Sequence, residues 1–126
     1  LKTQIVHVKE LPKGQSIGYN RKYITTKKTK VATIPIGYAD GYSRGLSNKG
    51  RVLIRGEYAS VIGSICMDQF MVDVTHIKYV NVGDEVVVFG NQQEKHISVE
   101  EIADSIGTIN YEIICMIGKR VPRIYI

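Results

Sequence analysis

Arg51-Val52-Leu53-Ile54-Arg55-Gly56-Glu57-Tyr58-Ala59-Ser60-Val61-Ile62-Gly63-Ser64-Ile65-Cys66 contains two apolar runs, 51–55 and 60–66, with Arg55-Gly56-Glu57 between them. Val and Ile pack well on a pleated surface, and glycine takes positive φ without a Cβ penalty, so the stretch reads as two strands joined by a turn. The same pattern recurs along the chain, with candidate strands at 4–8, 23–26, 31–37, 70–74, 85–89 and 112–117. Asn48-Lys49-Gly50 and Gly90-Asn91 supply further turn residues. Pro35 lies inside the run 31–37 and has no N–H, which puts that strand at an edge or bulges it there. One helix stands out. Ser98 precedes Glu101 by three residues as a capping box, Ile97 and Ile102 are placed to staple the first turn, and Gly107 ends it. Many short strands with a single short helix predict a mainly β fold. The expectation is one closed or nearly closed β-barrel domain over residues 1–126, since closure removes the exposed edges of a small sheet.

The 126 residues are 44% hydrophobic and 23% charged, which suits one packed domain. Seventeen Lys and Arg against twelve Asp and Glu leave a net charge of +5, spread along the chain. Eight tyrosines in a basic barrel raise an oligonucleotide-binding reading, with bases stacked on rings. The runs 31–37 and 60–66 are nearly uncharged, however, so the required interleaving of cations and aromatics is missing and no nucleic-acid partner is expected. No apolar run nears the ~18 residues of a membrane span, and Leu1 to Glu10 resembles neither a signal nor a transit peptide. A cytoplasmic location without a membrane partner is expected. The start on Leu1-Lys2-Thr3, with a strand pattern and no initiator Met, reads as a piece of a longer protein. Cys66 and Cys115 lack CxxC spacing and read as buried free thiols in a reducing compartment. His7, His76 and His96 are isolated, in a strand, a loop and a hairpin, and read as surface residues; no metal site is expected. Phosphate-binding loops of Walker or Rossmann type and the Gly-x-Ser-x-Gly elbow are missing from the sequence.

Three segments concentrate polar and aromatic residues around glycine: 14–19 (Gly-Gln-Ser-Ile-Gly-Tyr), 37–44 (Gly-Tyr-Ala-Asp-Gly-Tyr-Ser-Arg) and 65–69 (Ile-Cys-Met-Asp-Gln). Flanking glycines let the backbone turn sharply and present a ring from a loop. Taken singly, each tyrosine also fits plain packing against the barrel. Asp40, in an Ala-Asp-Gly turn, reads as a turn-former.

Together with Thr33-Ile34-Pro35-Ile36 before Gly37, Gly63-Ser64 before Ile65, Gly83-Asp84, Thr108-Ile109-Asn110-Tyr111-Glu112 and Arg120-Val121-Pro122-Arg123, these segments form an ordered set over essentially the whole chain. That set resembles the C-terminal domain of the alanine racemases, pyridoxal-phosphate enzymes that interconvert L- and D-alanine. The resemblance implies a preceding (β/α)₈ barrel that carries the cofactor on a lysine outside these residues. It also implies a homodimer with the active site between subunits, a role in supplying D-alanine for peptidoglycan, and an isolated chain without activity.

Residue by residue, the resemblance makes Tyr19 the catalytic tyrosine, one of two bases on opposite faces of the α-carbon. Inversion requires two, because a proton leaves one face of a planar centre and returns to the other. It makes Met67 the residue whose main-chain N–H holds the substrate carboxylate, and Tyr111 the cofactor-binding residue that bonds the phosphate and narrows the pocket. Tyr38, Arg44 and Ile109 would line the access channel, with Asp68 supporting that region. Tyr19, Tyr38 and Met67 would serve the partner's site and Tyr111 its own. Ser64 departs from the pattern, since the family usually has Arg there, and this alters the electrostatics expected at the channel mouth. A serine or broad-specificity racemase is the alternative within the enzyme class, against which Tyr111 argues by filling the space a serine hydroxyl would take. A non-catalytic binding barrel of the same fold is the alternative from another class.

Overall fold

Arg55 and Gly56 both take positive φ, 51° and 76°, a left-handed pair whose twist matches that of the strands it joins. Those strands, β6 (Arg51–Ile54) and β7 (Glu57–Ile62), pair antiparallel from Arg51↔Ser60 to Ile54↔Glu57. The hairpin sits near the middle of the sheet in a computed structural model that describes residues 1–18 and 23–126. Before it come β1 (Lys2–Gln4), β2 (His7–Leu11), β3 (Ser16–Ile17), β4 (Tyr23–Ile24) and β5 (Thr29–Ile34). After it come β8 (Phe70–Asp73), β9 (Glu85–Val87), β10 (Gly90–Gln92), β11 (Lys95–Ile97) and the helices α1 (Val99–Ile106) and α2 (Asn110–Met116).

Seven strands form one sheet in the order β1-β9-β6-β7-β8-β5-β2, with β3–β4 and β10–β11 as separate two-stranded ladders. The two outer strands, β1 and β2, are separated in the chain only by Ile5 and Val6. The Ile5 N–H donates to the Asp84 carbonyl at 3.0 Å and the Val6 N–H to the Thr33 carbonyl at 3.1 Å. One continuous run therefore serves both edges, and the sheet curls strongly toward closure, as the mainly β reading expected. Inside lie Ile5, Ile34, Leu53, Ile54, Phe70, Val72 and Val86, all essentially without solvent contact. Tyr42 stacks on Phe70 with ring centroids 4.7 Å apart. Burial pushes the Tyr42 phenol far above its ordinary pKa, with the Glu101 charge adding to the shift.

Several expectations need correction. The run 31–37 is neither an edge strand nor bulged: β5 ends at Ile34, one residue before Pro35, and lies between β2 and β8 with both ladders intact. Residues 112–117 are not a strand. They belong mostly to α2, so there are two helices where one was expected. Within α2, Ile113 is buried while Tyr111 and Ile114 are exposed, a one-sided burial that suits a helix packed against α1. The run 60–66 is a strand only to Ile62, because Gly63 turns the backbone at φ 80°.

Helix α1 starts and stops where expected, with the Ser98 hydroxyl accepting from the Glu101 N–H at 3.0 Å and Gly107 closing it in the left-handed region, but among the described residues only this arm of the expected capping box forms. The Glu101 carboxylate bonds Arg51 through Nε and Nη2, both at 2.8 Å, which pins α1 to β6. The Arg51 guanidinium also lies 3.8 Å from the centroid of the Tyr58 ring. The Arg51 hydrogen bond holds the Glu101 carboxyl below the usual range. A depressed folded pKa stabilises the fold above the ordinary Glu value and loses that contribution as pH falls through the depressed one. Glu101→Gln is expected to lower the melting temperature at neutral pH and to flatten its decline below about pH 4.3, as a series of thermal melts would show.

Candidate functional site

The turn after β5 is built from the short-range chemistry of its own residues. The Asp40 carboxylate accepts from the Gly37 N–H at 2.9 Å through Oδ2, and the Asp40 N–H donates back to the Gly37 carbonyl at 3.0 Å. This closes a 3-10 turn over Tyr38–Asp40 and confirms Asp40 as a turn-former. The turn is held against the loop 66–69 by the main chain: the Tyr38 N–H donates to the Cys66 carbonyl and the Ala39 N–H to the Met67 carbonyl, both at 3.0 Å. A Cβ on Gly37 would stand 2.2 Å from the Cys66 oxygen, so only glycine permits this approach. On the other side, Gly41, at φ 110°, lies against the end of α2, where a Cβ would come within 2.3 Å of the Met116 oxygen.

The loop 66–69 is itself tight, with the Cys66 N–H donating to the Gln69 carbonyl at 2.9 Å. It projects Met67 and Asp68 outward. Among the described residues the Met67 N–H has no hydrogen-bond partner. A solvent-open cavity of about 360 Å³ lies here, lined by Gly18, Cys66, Met67, Asp68, Gln69 and Met71. Gly18, at φ 77°, rests on Gly63-Ser64, where a Cβ would meet the Ser64 nitrogen at 3.1 Å. Arg120 joins the two segments from the chain's last stretch: its Nε lies 3.2 Å from Asp40 Oδ1 and its Nη2 2.8 Å from Asp68 Oδ1. These contacts, the Asp68 hydrogen bond first, raise the Arg120 pKa and keep it charged.

Of the residues singled out in the sequence, Tyr19 lies outside the described residues; Gly18, its neighbour, reaches the cavity rim. Met67 and Asp68 line that cavity and Tyr38 lies beside it, its N–H on the Cys66 carbonyl, with Tyr38 43% and Met67 53% exposed. Arg44 opens a second 3-10 turn (Arg44–Leu46), tied to the rim loop through Ser47, whose hydroxyl donates to the Arg44 carbonyl at 2.7 Å and accepts from the Ile65 N–H at 2.9 Å. Ile109 and Tyr111, 64% and 73% exposed, start α2, and among the described residues no hydrogen bond ties their side chains to the rim. Sequence reasoning missed Arg120 as the cation between the turn and the loop; the signal was an Arg-Val-Pro-Arg segment quoted for its pattern alone. It also misplaced the thiols: Cys66 is half-buried with its Sγ 3.7 Å from the Ser64 carbonyl, and Cys115 is exposed. His76 bonds the Tyr58 carbonyl and His96 the Asn91 side chain at the surface, as expected. Among the described residues no cluster of three or more metal-ligating side chains occurs, and no helix is long and apolar enough to cross a membrane.

The sequence model of the alanine racemase C-terminal domain matches residues 1–125. The chain belongs to that family. It is 53% identical over 126 residues to alanine racemase 1 of Clostridium acetobutylicum, covering 100% of this chain and 33% of the relative. Among solved structures, alanine racemase from Bacillus anthracis with bound L-Ala-P superposes with a TM-score of 0.94 at 42% identity, covering 99% of this chain and 32% of that one. Alanine racemase from Bartonella henselae with covalently bound pyridoxal phosphate does so at 0.91 and 36% identity, covering 99% and 34%. The chain thus spans about a third of the length of the alanine racemases it matches.

Because the Gly37 approach is backbone on backbone, neither side can yield by a rotamer change. Gly37→Ala is expected to cost about 1–3 kcal/mol, the usual range for overpacking, and to appear as a lower urea midpoint with an unchanged slope.

Proposed function

We propose that this chain is the C-terminal β domain of a pyridoxal-phosphate-dependent alanine racemase, contributing a base and a substrate-carboxylate contact to an active site shared between two subunits. The observation that carries this reading is the unpartnered Met67 N–H at a cavity rim, beside outward-facing Tyr38 and Asp68, in a chain whose family and three-dimensional neighbours are alanine racemases. A main-chain N–H without an internal partner is a ready donor to a carboxylate, and a charge-assisted bond of this kind depends on backbone position more than on side chain.

The residues present fit the cofactor that the family implies. The Tyr111 phenol is exposed and has no hydrogen-bond partner among the described residues, so its hydroxyl is free to donate to a phosphate oxygen. When bound, the cofactor withdraws electrons from the substrate and makes the α-proton acidic. This chain's residues do the rest. Met67 fixes the carboxylate, which orients the α-carbon; Tyr19 moves a proton at one face, while the lysine of the preceding barrel works at the other. A phenol with an ordinary pKa of about 10 needs cationic neighbours to act as a base near neutrality. Tyr38, Arg44 and Ile109 line the approach and Asp68 supports the rim. The product, D-alanine, is used for peptidoglycan in the cytoplasm.

Two experiments on the full-length protein test this. Mixing a Tyr19→Phe variant with one lacking the barrel lysine should restore racemisation in exchanged dimers, because one site then combines the lysine of one subunit with the tyrosine of the other. Mixed dimers that stay inactive despite subunit exchange would contradict a shared site. Tyr111→Asn should loosen the cofactor, through loss of a charged hydrogen bond worth about 1.5–3 kcal/mol, and should raise the serine-to-alanine activity ratio. Cofactor retention after dialysis and rates on both amino acids read these effects.

A further inference from the structure

Arg120 reaches the rim from a stretch of chain that is stiff on its own account. The Arg123 guanidinium gathers the carbonyls of Ile117, Gly118 and Val121 at 2.6 to 2.8 Å, and the Gly118 N–H donates to the Asp40 carbonyl at 3.0 Å. The base of the Arg120 side chain is thereby fixed relative to the Tyr38–Asp40 turn. Its two carboxylate partners differ in character. The Asp40 side chain is 10% exposed and already accepts the Gly37 N–H through Oδ2, so its contact with Arg120 is an anchor inside the fold. The Asp68 side chain is 62% exposed, and its hydrogen bond to Arg120 is the one side-chain tether described for the outer end of the loop that carries Met67.

We propose that Arg120 is a positioning residue, bridging Asp40 and Asp68 so that the Met67 N–H is held at a fixed spacing from the Tyr38 turn. The inference rests on the racemase reading for the use made of that N–H, but the bridge itself stands on geometry. A forked guanidinium can serve two carboxylates from different nitrogens at once, which an ammonium on a flexible stem does less well. The outer pair is solvent-exposed and adds little to global stability. Its effect is local, on the freedom of four residues that must present one N–H to a substrate.

The test uses the full-length protein with cofactor. In Arg120→Met, amide exchange in peptides spanning residues 37–40, where the Tyr38 and Ala39 N–H groups bond the rim loop, should accelerate about tenfold. KM for both alanine isomers, and the inhibition constant of propionate as a bare carboxylate probe, should rise about tenfold, with kcat within about threefold of the parent. Arg120→Lys should recover part of each change. Asp68→Asn, which leaves the buried Asp40 contact in place, should reproduce the loss of carboxylate affinity in a protein that still folds. Unchanged exchange or unchanged propionate affinity in these variants overturns the proposal, as does a fall in kcat and melting temperature with KM untouched. If the parent protein does not interconvert the alanine isomers, the racemase reading fails, and the exchange measurement alone decides the bridge.

Discussion

Two glycines in one five-residue turn let three separate parts of the chain touch through their main chains. Gly37 lies against the carbonyls of the Cys66 loop and Gly41 against the end of α2, both closer than any Cβ allows. Most contacts between side chains absorb a change by shifting a rotamer, but carbonyl oxygens packed on Cα atoms have nowhere to go. The turn is therefore a fixed point to which the strand before it, the rim loop and the second helix are all referred. Without it the curled sheet would still have an interior, yet nothing would set the rim.

The charge arrangement follows from that fixed point. Asp40 is a largely buried carboxylate that exists to close the turn, and a buried carboxylate needs partners for its lone pairs. One is the Gly37 N–H; the other is Arg120, which arrives because the tail packs on the same turn through Gly118. Asp68, outside, then receives the free end of the same guanidinium. A buried and an exposed carboxylate thus share one cation. The Arg51–Glu101 pair does a comparable task elsewhere, docking α1 on β6, but there both partners belong to the scaffold.

The sheet was legible in the sequence wherever turn chemistry punctuates it. Arg55-Gly56 predicted the central hairpin, and Ser98 with Gly107 bracketed α1, because these signals act on the residues next to them. What failed were features decided at a distance. The segment 112–117 is rich in isoleucine and reads as a strand, but residues 110–116 form a helix that packs on α1, with the Thr108–Glu112 hydrogen bond, 2.8 Å, at its start. Ile34 ends β5 just before Pro35, so the strand stays paired on both sides while the residue that cannot donate falls outside it. Tyr38, Met67 and Asp68 stood out in the sequence, while the contact of Arg120 with Asp68 did not, since it spans 52 residues and leaves no local trace.

The run through Ile5–Val6 that joins β1 to β2 has a kinetic meaning. Joining Thr3 to Val86 closes a loop about two thirds as long as the chain, whereas Ile54 and Glu57 meet across a single turn. Loop-closure entropy grows with the logarithm of length, which makes the first pairing about 3 kcal/mol harder to initiate than the second. The central hairpin is a natural seed and the seam a late event. Until the seam zips, β9 and β5 each offer an unpaired row of amides to any neighbouring chain. The run that covers both outer edges is therefore also what keeps a nascent molecule from pairing with its neighbours, so its speed of arrival bears on yield as much as its strength bears on stability.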